Sequence, residues 1–450
     1  MSPKGLCINE SIKMFRTRLY EPYQSDGVKW MLTREISGKH SGGFLCDEMG
    51  LGKTVQTIAT MVYNKVPHTL IVVPNSIVHQ WVDEIETHST LTVSVYKNAQ
   101  TTDVSVTTYG AFVNESSPVF AEKWDRVVFD EAHEVRNPGS KRFKNIIRNL
   151  RCNIRWMLTG TPVYNSDRDF KALIRILTND WFFQENKNEV ILRRTKADLD
   201  TFNENLKLPP CEFECVEIER YPEEERFYTR IFDKFSHMID DDAESNMLVL
   251  EGFLRLRQFS IHPSLCPFEY TGPSKKMEML QQLLSEHPDE KTLIFCQFKR
   301  EMDYIRDFLT VKCFRLDGDV ESDMRKKIIK RFKKYPGGCV FLIQIKTGGQ
   351  GLNLQEATRV YITSPSWNPA TELQAISRAH RTGQTKPVHV KKLVCVSTSN
   401  TPSIDESIVE LQDHKSTVCA DVLNDPRVAN QLPKTKRRNM VKLLRTFFAT

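Results

Sequence analysis

Asp47-Glu48-Met49-Gly50-Leu51-Gly52-Lys53-Thr54 sets two glycines, a lysine and a hydroxyl in the order a phosphate-binding turn requires. Gly50 and Gly52 permit a tight turn, and its backbone N–H groups and the following helix dipole converge on one anionic site. Lys53 then suits the β/γ-phosphates of a nucleotide, and Thr54 suits Mg²⁺. The strict pattern has glycine where Asp47 stands, so the stretch alone leaves an ordinary glycine-rich turn as the competing reading.

A second set adds to it. Val127-Val128-Phe129 runs into Asp130-Glu131-Ala132-His133, which places two carboxylates at the carboxyl end of a strand. Asp130 is suited to hold Mg²⁺ through water, and Glu131 to orient and deprotonate an attacking water. An isolated acidic pair there is more often a helix cap, but the phosphate loop shifts the balance to catalysis. Leu158-Thr159-Gly160-Thr161-Pro162 supplies hydroxyls from Thr159 and Thr161 that suit hydrogen bonds to His133 and sensing of a γ-phosphate. Gln24, in Leu19 to Trp30, carries the donor and acceptor that an adenine edge needs; a capped surface helix is the plainer alternative.

The second half has its own candidates. Lys346-Thr347-Gly348-Gly349-Gln350-Gly351 allows close backbone approach to a ligand or a nucleic-acid strand. Gln374 to Gln384 reads as one helix, on which Arg378 and Arg381 are three apart and share a face. They form either a surface charge pair or a fork aimed at phosphate, and an arginine finger is worth on the order of 10³ to 10⁵ in rate.

Buried strands must position these groups. Gly43-Phe44-Leu45-Cys46, Leu70-Ile71-Val72-Val73, Val104 to Thr107 and Trp156-Met157-Leu158 are apolar runs separated by helical periods such as Val55, Ile58, Ala59 and Val62. This alternation predicts an α/β fold with a parallel, doubly wound sheet, ending as a lobe near residue 200. Residues 192 to 210 read as a connector, stiffened by Pro209-Pro210. An acidic stretch follows as a strand and then helices. A second strand-helix series starts at Thr292-Leu293-Ile294-Phe295 and includes Phe314-Arg315-Leu316, a basic helix from Ser322, and Val340 to Ile343. The outer Lys and Arg of that helix are either a solvated face or a DNA contact.

The 450 residues imply two or three domains, 40% of them hydrophobic as in globular proteins. No apolar run approaches the roughly 18 residues of a membrane helix, and no membrane partner is expected. The eleven cysteines lack a repeated pair spacing, as expected of free thiols. Cys211, Cys215, His262 and Cys266 can be drawn as a zinc set, but Cys211, Phe213 and Cys215 alternate as strand residues on one face. A net charge of +6, with basic clusters at Arg325 to Lys334 and Lys434 to Arg445, suits a polyanion.

Taken together, Asp47 to Thr54, Asp130 to His133, Leu158 to Pro162, Trp367-Asn368-Pro369 and Gln374 to Gln384 resemble the Swi/Snf-like ATPases of helicase superfamily two, from about Leu19 to Leu411. The resemblance implies two RecA-like lobes, each a mainly parallel sheet flanked by helices, with helical insertions and a C-terminal brace. Lobe 1 is expected at 1–200, lobe 2 with its insertion at 201–400, and the brace helix and basic tail at 401–450. It implies ATP and Mg²⁺ as cofactors, Asp47, Gly50, Gly52 and Gln24 at the nucleotide, and Arg378 and Arg381 as paired fingers. His133, Thr159, Thr161 and Gln374 would couple hydrolysis to movement, and Pro74, Asn75, Lys346, Thr347, Gly348 and Trp367 would meet DNA. The implied function is an ATP-dependent translocase on double-stranded DNA that remodels or displaces protein-DNA complexes. The rivals are a strand-separating DNA or RNA helicase and an accessory ATPase for transcription.

The sequence departs from the family at Gln344-Ile345-Lys346-Thr347, usually closer to Ser-Thr-Lys-Ala, and at Ser364-Pro365-Ser366, where an acidic residue is common. It reads as a motor core with little attached, as expected of a compact viral member or of a subunit recruited by others. The expected partners are a nucleosome, an RNA polymerase or another DNA-bound protein. The expected location is the nucleus, or a cytoplasmic replication site for a virus; Pro433 to Arg438 reads equally as an import signal or a basic end.

Overall fold

The computed structural model describes residues 14–37, 41–97, 102–160, 167–178, 187–198, 208–241, 246–267, 270–348, 352–423 and 447–448. Thr161, Gly349 to Gly351 and Pro433 to Arg438 lie outside the described residues. The chain divides into two compact units, Met1–Leu208 and Pro209–Thr450. Both are RecA-like, a parallel sheet flanked by helices.

In the first unit the strands are β1 (Gly42–Leu45), β2 (Thr69–Val73), β3 (Val93–Val95), β4 (Val104–Thr108), β5 (Lys123–Asp130), β6 (Arg151–Leu158) and β7 (Ile191–Leu192). They pair in the order β3-β4-β2-β5-β6-β1-β7, every pair parallel. Every residue of β1 and β2 is buried, which explains their unbroken apolar sequences. Ile58, Ala59 and Val62 of the helix Lys53–Tyr63 bury the predicted face against this sheet. The helix Tyr23–Ser37 is tied to the sheet through buried Glu35, whose Oε1 accepts from Arg126 Nε at 2.7 Å and Trp156 Nε1 at 2.8 Å.

The second unit holds β8 (Cys211–Glu219), β9 (Lys291–Cys296), β10 (Lys312–Leu316), β11 (Cys339–Gln344), β12 (Arg359–Ile362) and β13 (Val388–Val396), in the order β10-β11-β9-β12-β13-β8 and again all parallel. The helices Pro222–Asp241 and Asn246–Ile261 pack on each other through Phe232, Phe235 and Phe253. The C-terminal helix Ile404–Leu423 joins this unit through a fully buried ion pair, Lys276 Nζ to Asp405 Oδ2 at 2.6 Å.

Two sequence readings are corrected. The connector expected over 192–210 does not begin at 192: β7 pairs with β1, and Arg194 O accepts from Glu48 N at 2.8 Å, so residues 192–198 are built into the first unit beside the Asp47 to Thr54 loop. Pro209 and Pro210 belong to the second unit, where Pro209 O meets His380 Nε2 at 2.9 Å. The helix expected over Gln374 to Gln384 is also shorter. It runs only Pro369–Ile376, and the chain then continues as turns. The backbone is drawn off the helix because Arg378 O accepts from Leu354 N at 2.9 Å and Gln384 Nε2 bonds three carbonyls, Gln355 O, Ala357 O and Ala379 O.

Candidate active site

The first unit collects its chemistry at the carboxyl edge of its sheet, where the loops after β1, β2, β5 and β6 emerge. The β1 loop turns through Gly50 (φ 93°) and Gly52 (φ 77°), which open the helix Lys53–Tyr63. A side chain at Gly52 is disfavoured by the left-handed backbone and would force Gln24 to move, since Gln24 Nε2 would lie 2.4 Å from a Cβ. Gln24 is buried beside the loop, its Oε1 accepting from Tyr20 N at 2.9 Å and its Nε2 donating to Leu51 O at 3.4 Å. Lys53 Nζ folds over the turn onto Asp47 O at 2.7 Å and Glu48 O at 3.4 Å. Thr54 is the next residue of that first helical turn and is half-buried.

Asp47 takes a different place from the one its position in the motif suggests. Its carboxylate is fully buried and accepts Arg194 N at 3.1 Å, Arg194 Nε at 3.0 Å and Gln56 Nε2 at 3.1 Å, with Arg194 Nη2 on the second oxygen. The side chain therefore anchors the loop from beneath, while its backbone carbonyl faces Lys53.

Asp130 is the last residue of β5. Trp81 Nε1 donates to its Oδ2 at 2.8 Å, Glu131 N to its Oδ1 at 3.0 Å, and Tyr109 Oη to its backbone oxygen at 2.7 Å. Desolvation, reinforced by the charge of Glu131, pushes the Asp130 carboxyl up to about 6, against the opposing pull of Trp81 and Lys53. The Lys53 charge therefore reaches the Asp130 carboxyl. Among the described residues Glu131 is the one non-glycine residue at positive φ, 52°. That left-handed turn costs on the order of 1 kcal/mol and swings the chain so that Glu131 Oε2 faces His133 Nδ1 at 3.4 Å. Burial pushes the His133 imidazole down to about 4, so it is neutral at physiological pH. Thr159 follows β6 and is buried.

In the second unit Arg378 and Arg381 sit on the turns after the helix Pro369–Ile376, both half-buried, with Arg378 Nη1 on Leu352 O at 3.4 Å. Gln374 lies on the helix itself. Lys346 is exposed after β11, Thr347 Oγ1 donates to Gln344 Oε1 at 3.5 Å, and Gly348 ends the same short helical turn. Trp367 is half-buried, its ring edge-on to Phe253 with centroids 5.1 Å apart. Back in the first unit, Pro74 is buried and Asn75 exposed after β2. Of the zinc alternative, Cys211 and Cys215 are exposed on β8, Cys266 Sγ donates to Arg255 O at 3.0 Å, and His262 stacks on Tyr304.

A profile of the SNF2-related domain matches residues 23–187, and one of the helicase conserved C-terminal domain matches 275–383. Human SWI/SNF-related matrix-associated actin-dependent regulator of chromatin subfamily A member 1 is 30% identical over 94% of this chain and 45% of its own length. The chain belongs to the SNF2-related ATPase family. The Saccharomyces cerevisiae ISWI chromatin-remodeling complex ATPase ISW1 is 28% identical to this SNF2-related chain over 94% of it and 42% of the relative. The Sulfolobus solfataricus SWI2/SNF2 ATPase core in complex with dsDNA is 27% identical, covers 92% of this chain and 95% of its own, and has a TM-score of 0.42. The chain spans less than half the length of the two curated relatives.

Sequence reasoning missed Arg194, Trp81 and Tyr109. In the sequence Trp81 is one more apolar position of the helix Val78–His88, and only its indole N–H, which needs a partner when buried, signals more.

Proposed function

We propose that this chain is a DNA-dependent ATPase whose turnover drives movement along double-stranded DNA and remodels or displaces protein-DNA complexes. One observation carries the reading: Lys53 and the pair Asp130-Glu131 lie at one edge of one sheet, within electrostatic reach, and the carboxyl of Asp130 is raised to about 6.

In this reading Gln24 reads the adenine edge, and the backbone of Gly50 to Thr54 and Lys53 take the phosphates. Lys53 gives up the carbonyls of Asp47 and Glu48 to do so. Thr54 and Asp130 offer the hard oxygens that suit Mg²⁺, and a desolvated carboxyl raised to about 6 is one that a divalent cation stabilises as its anion. Mg²⁺, when bound, neutralises phosphate charge. Glu131 takes the proton of the attacking water, and neutral His133 lies beside the Glu131 carboxylate, Nδ1 to Oε2 at 3.4 Å. Arg378 and Arg381 serve as arginine fingers, and His133, Thr159, Thr161 and Gln374 couple hydrolysis to movement.

Pro74, Asn75, Lys346, Thr347, Gly348 and Trp367 are assigned to DNA. Contacts of this kind go to the backbone, so affinity is independent of sequence and falls steeply with salt. The human and yeast relatives bear chromatin names, so a nucleosome or another DNA-bound protein in the nucleus is the proposed object.

The test is steady-state ATP hydrolysis without nucleic acid and with duplex DNA, single-stranded DNA or RNA, with Lys53→Ala as the blank. Stimulation by duplex DNA supports the motor; stimulation by RNA or single strands alone overturns it in favour of a helicase. Displacement of a triplex-forming strand then reads translocation directly.

A further inference from the structure

The basic helix Ser322–Lys334 is a sequence feature the ATPase reading leaves unused. Lys327, Lys330, Arg331 and Lys334 fall at i, i+3, i+4 and i+7, so they form a single exposed stripe. With Lys312 they rim an open cavity of about 630 Å³. Its apolar floor is Phe314, Tyr335 and Pro336. Among the described residues no ion pair joins these five cations to a carboxylate, whereas neighbouring Lys333 pairs with Glu356 at 3.4 Å.

Phe314 stands on β10, the outermost strand of the second sheet, which among the described residues pairs with β11 alone. Its ring is held edge-on by Phe332 at 5.8 Å and Tyr335 at 6.0 Å between centroids. Lys312 Nζ lies 5.8 Å over the same ring. The cavity thus joins three features: uncompensated positive charge, an apolar floor, and a strand edge with backbone groups to offer.

We propose that this cavity docks an extended acidic protein segment. The segment lies along β10, sets one aromatic or aliphatic side chain on Phe314 and Tyr335, and turns its carboxylates to the helix stripe. Duplex DNA answers only the first feature. Its phosphates meet the cations alone, and it has no use for the aromatic floor or the strand edge. Lysines beside an edge strand also discourage unwanted strand pairing, and that role alone calls for no ligand at all. The proposal goes beyond the ATPase reading and stands independently of it, because its readout is binding.

The test is fluorescence anisotropy of the full chain with a labelled peptide of about twelve residues, rich in Glu and Asp around one central Phe. The expected result is binding that weakens about tenfold or more in Lys327→Glu/Lys330→Glu, and several-fold when the peptide Phe becomes Ser. Both substitutions are at exposed helix positions, and DNA-stimulated ATP hydrolysis should be unchanged, which shows that the variant is folded. No binding at about 100 µM peptide, or binding indifferent to the double reversal, overturns the proposal. So does a loss of duplex DNA affinity as large as the loss of peptide affinity, which assigns the stripe to nucleic acid.

Discussion

Arg194 Nε donates to Asp47 Oδ1 at 3.0 Å across 147 residues of sequence, and the acceptor is fully buried. The phosphate loop is therefore clamped by the stretch that follows the edge strand β7. Arg194 also reaches Gln56 Oε1 at 2.7 Å and the Tyr23 backbone oxygen, so one guanidinium ties the loop, its following helix and the helix Tyr23–Ser37 together.

Arg194→Ala strands a buried carboxylate, a change that typically costs about 3–5 kcal/mol. The expected result is a large drop in the denaturant midpoint of the first unit and loss of fluorescent-nucleotide binding. A variant within about 1 kcal/mol of the parent would show that the clamp is not a stability element.

Asp130 is predicted to trade stability for activity. Its carboxyl is raised from the ordinary value of 3.8 to about 6, so the folded chain holds that proton more tightly than the unfolded chain. Stability therefore falls as pH rises through that window and stays lower above it. Asp130→Asn should abolish hydrolysis yet melt at or above the parent temperature near about pH 8, the two converging near about pH 4. The check is differential scanning fluorimetry across pH without Mg²⁺; an Asn variant that melts several degrees lower at the alkaline end contradicts the desolvation account.

The sheets were legible because parallel strands covered on both faces must be apolar throughout, and Leu70 to Val73 and Val340 to Ile343 are. The groups at their ends were legible as candidates only in combination: the glycine turn with its lysine and the acidic pair each have a plainer reading alone, and together at strand ends of one sheet they narrow it. Arg194 was not legible: Arg193-Arg194-Thr195-Lys196 is locally a polar linker, and an ionic contact with Asp47 leaves no period in the sequence. The end of the helix at Ile376 was hidden for a similar reason. The apolar period runs on, and what stops the helix is competition from Leu354 N and the Gln384 amide, both contributed from beyond it.

Gly383 is predicted to govern the arginines without touching substrate. Its φ is 97°, and a Cβ there would lie 2.8 Å from Gln355 Nε2. Gly383→Ala therefore costs about 1–2 kcal/mol locally and loosens the turns that carry Arg378 and Arg381. The expected signature is a kcat lowered about tenfold or more with the KM for ATP little changed, because nucleotide binding is assigned to the first unit. A rise in KM at constant kcat would place the arginines in ground-state binding instead.

His262 is predicted to give the second unit an acid-sensitive joint. Its Nδ1 accepts from Ser264 N at 3.2 Å, and its ring stacks on Tyr304 with centroids 4.2 Å apart. Both the acceptor role and the stacked position favour the neutral imidazole, and burial holds its pKa below the ordinary value of 6.5. A group depressed in this way contributes stability that is complete above its unfolded value. That contribution is lost as pH falls below about 6.5, where the unfolded chain takes up a proton the folded chain refuses. His262→Asn keeps an acceptor for Ser264 N but cannot titrate. Urea midpoints measured at intervals between about pH 5 and 8 should show the parent losing stability toward acid more steeply than the variant. Parallel curves would mean that His262 is already solvated enough to protonate in the folded chain.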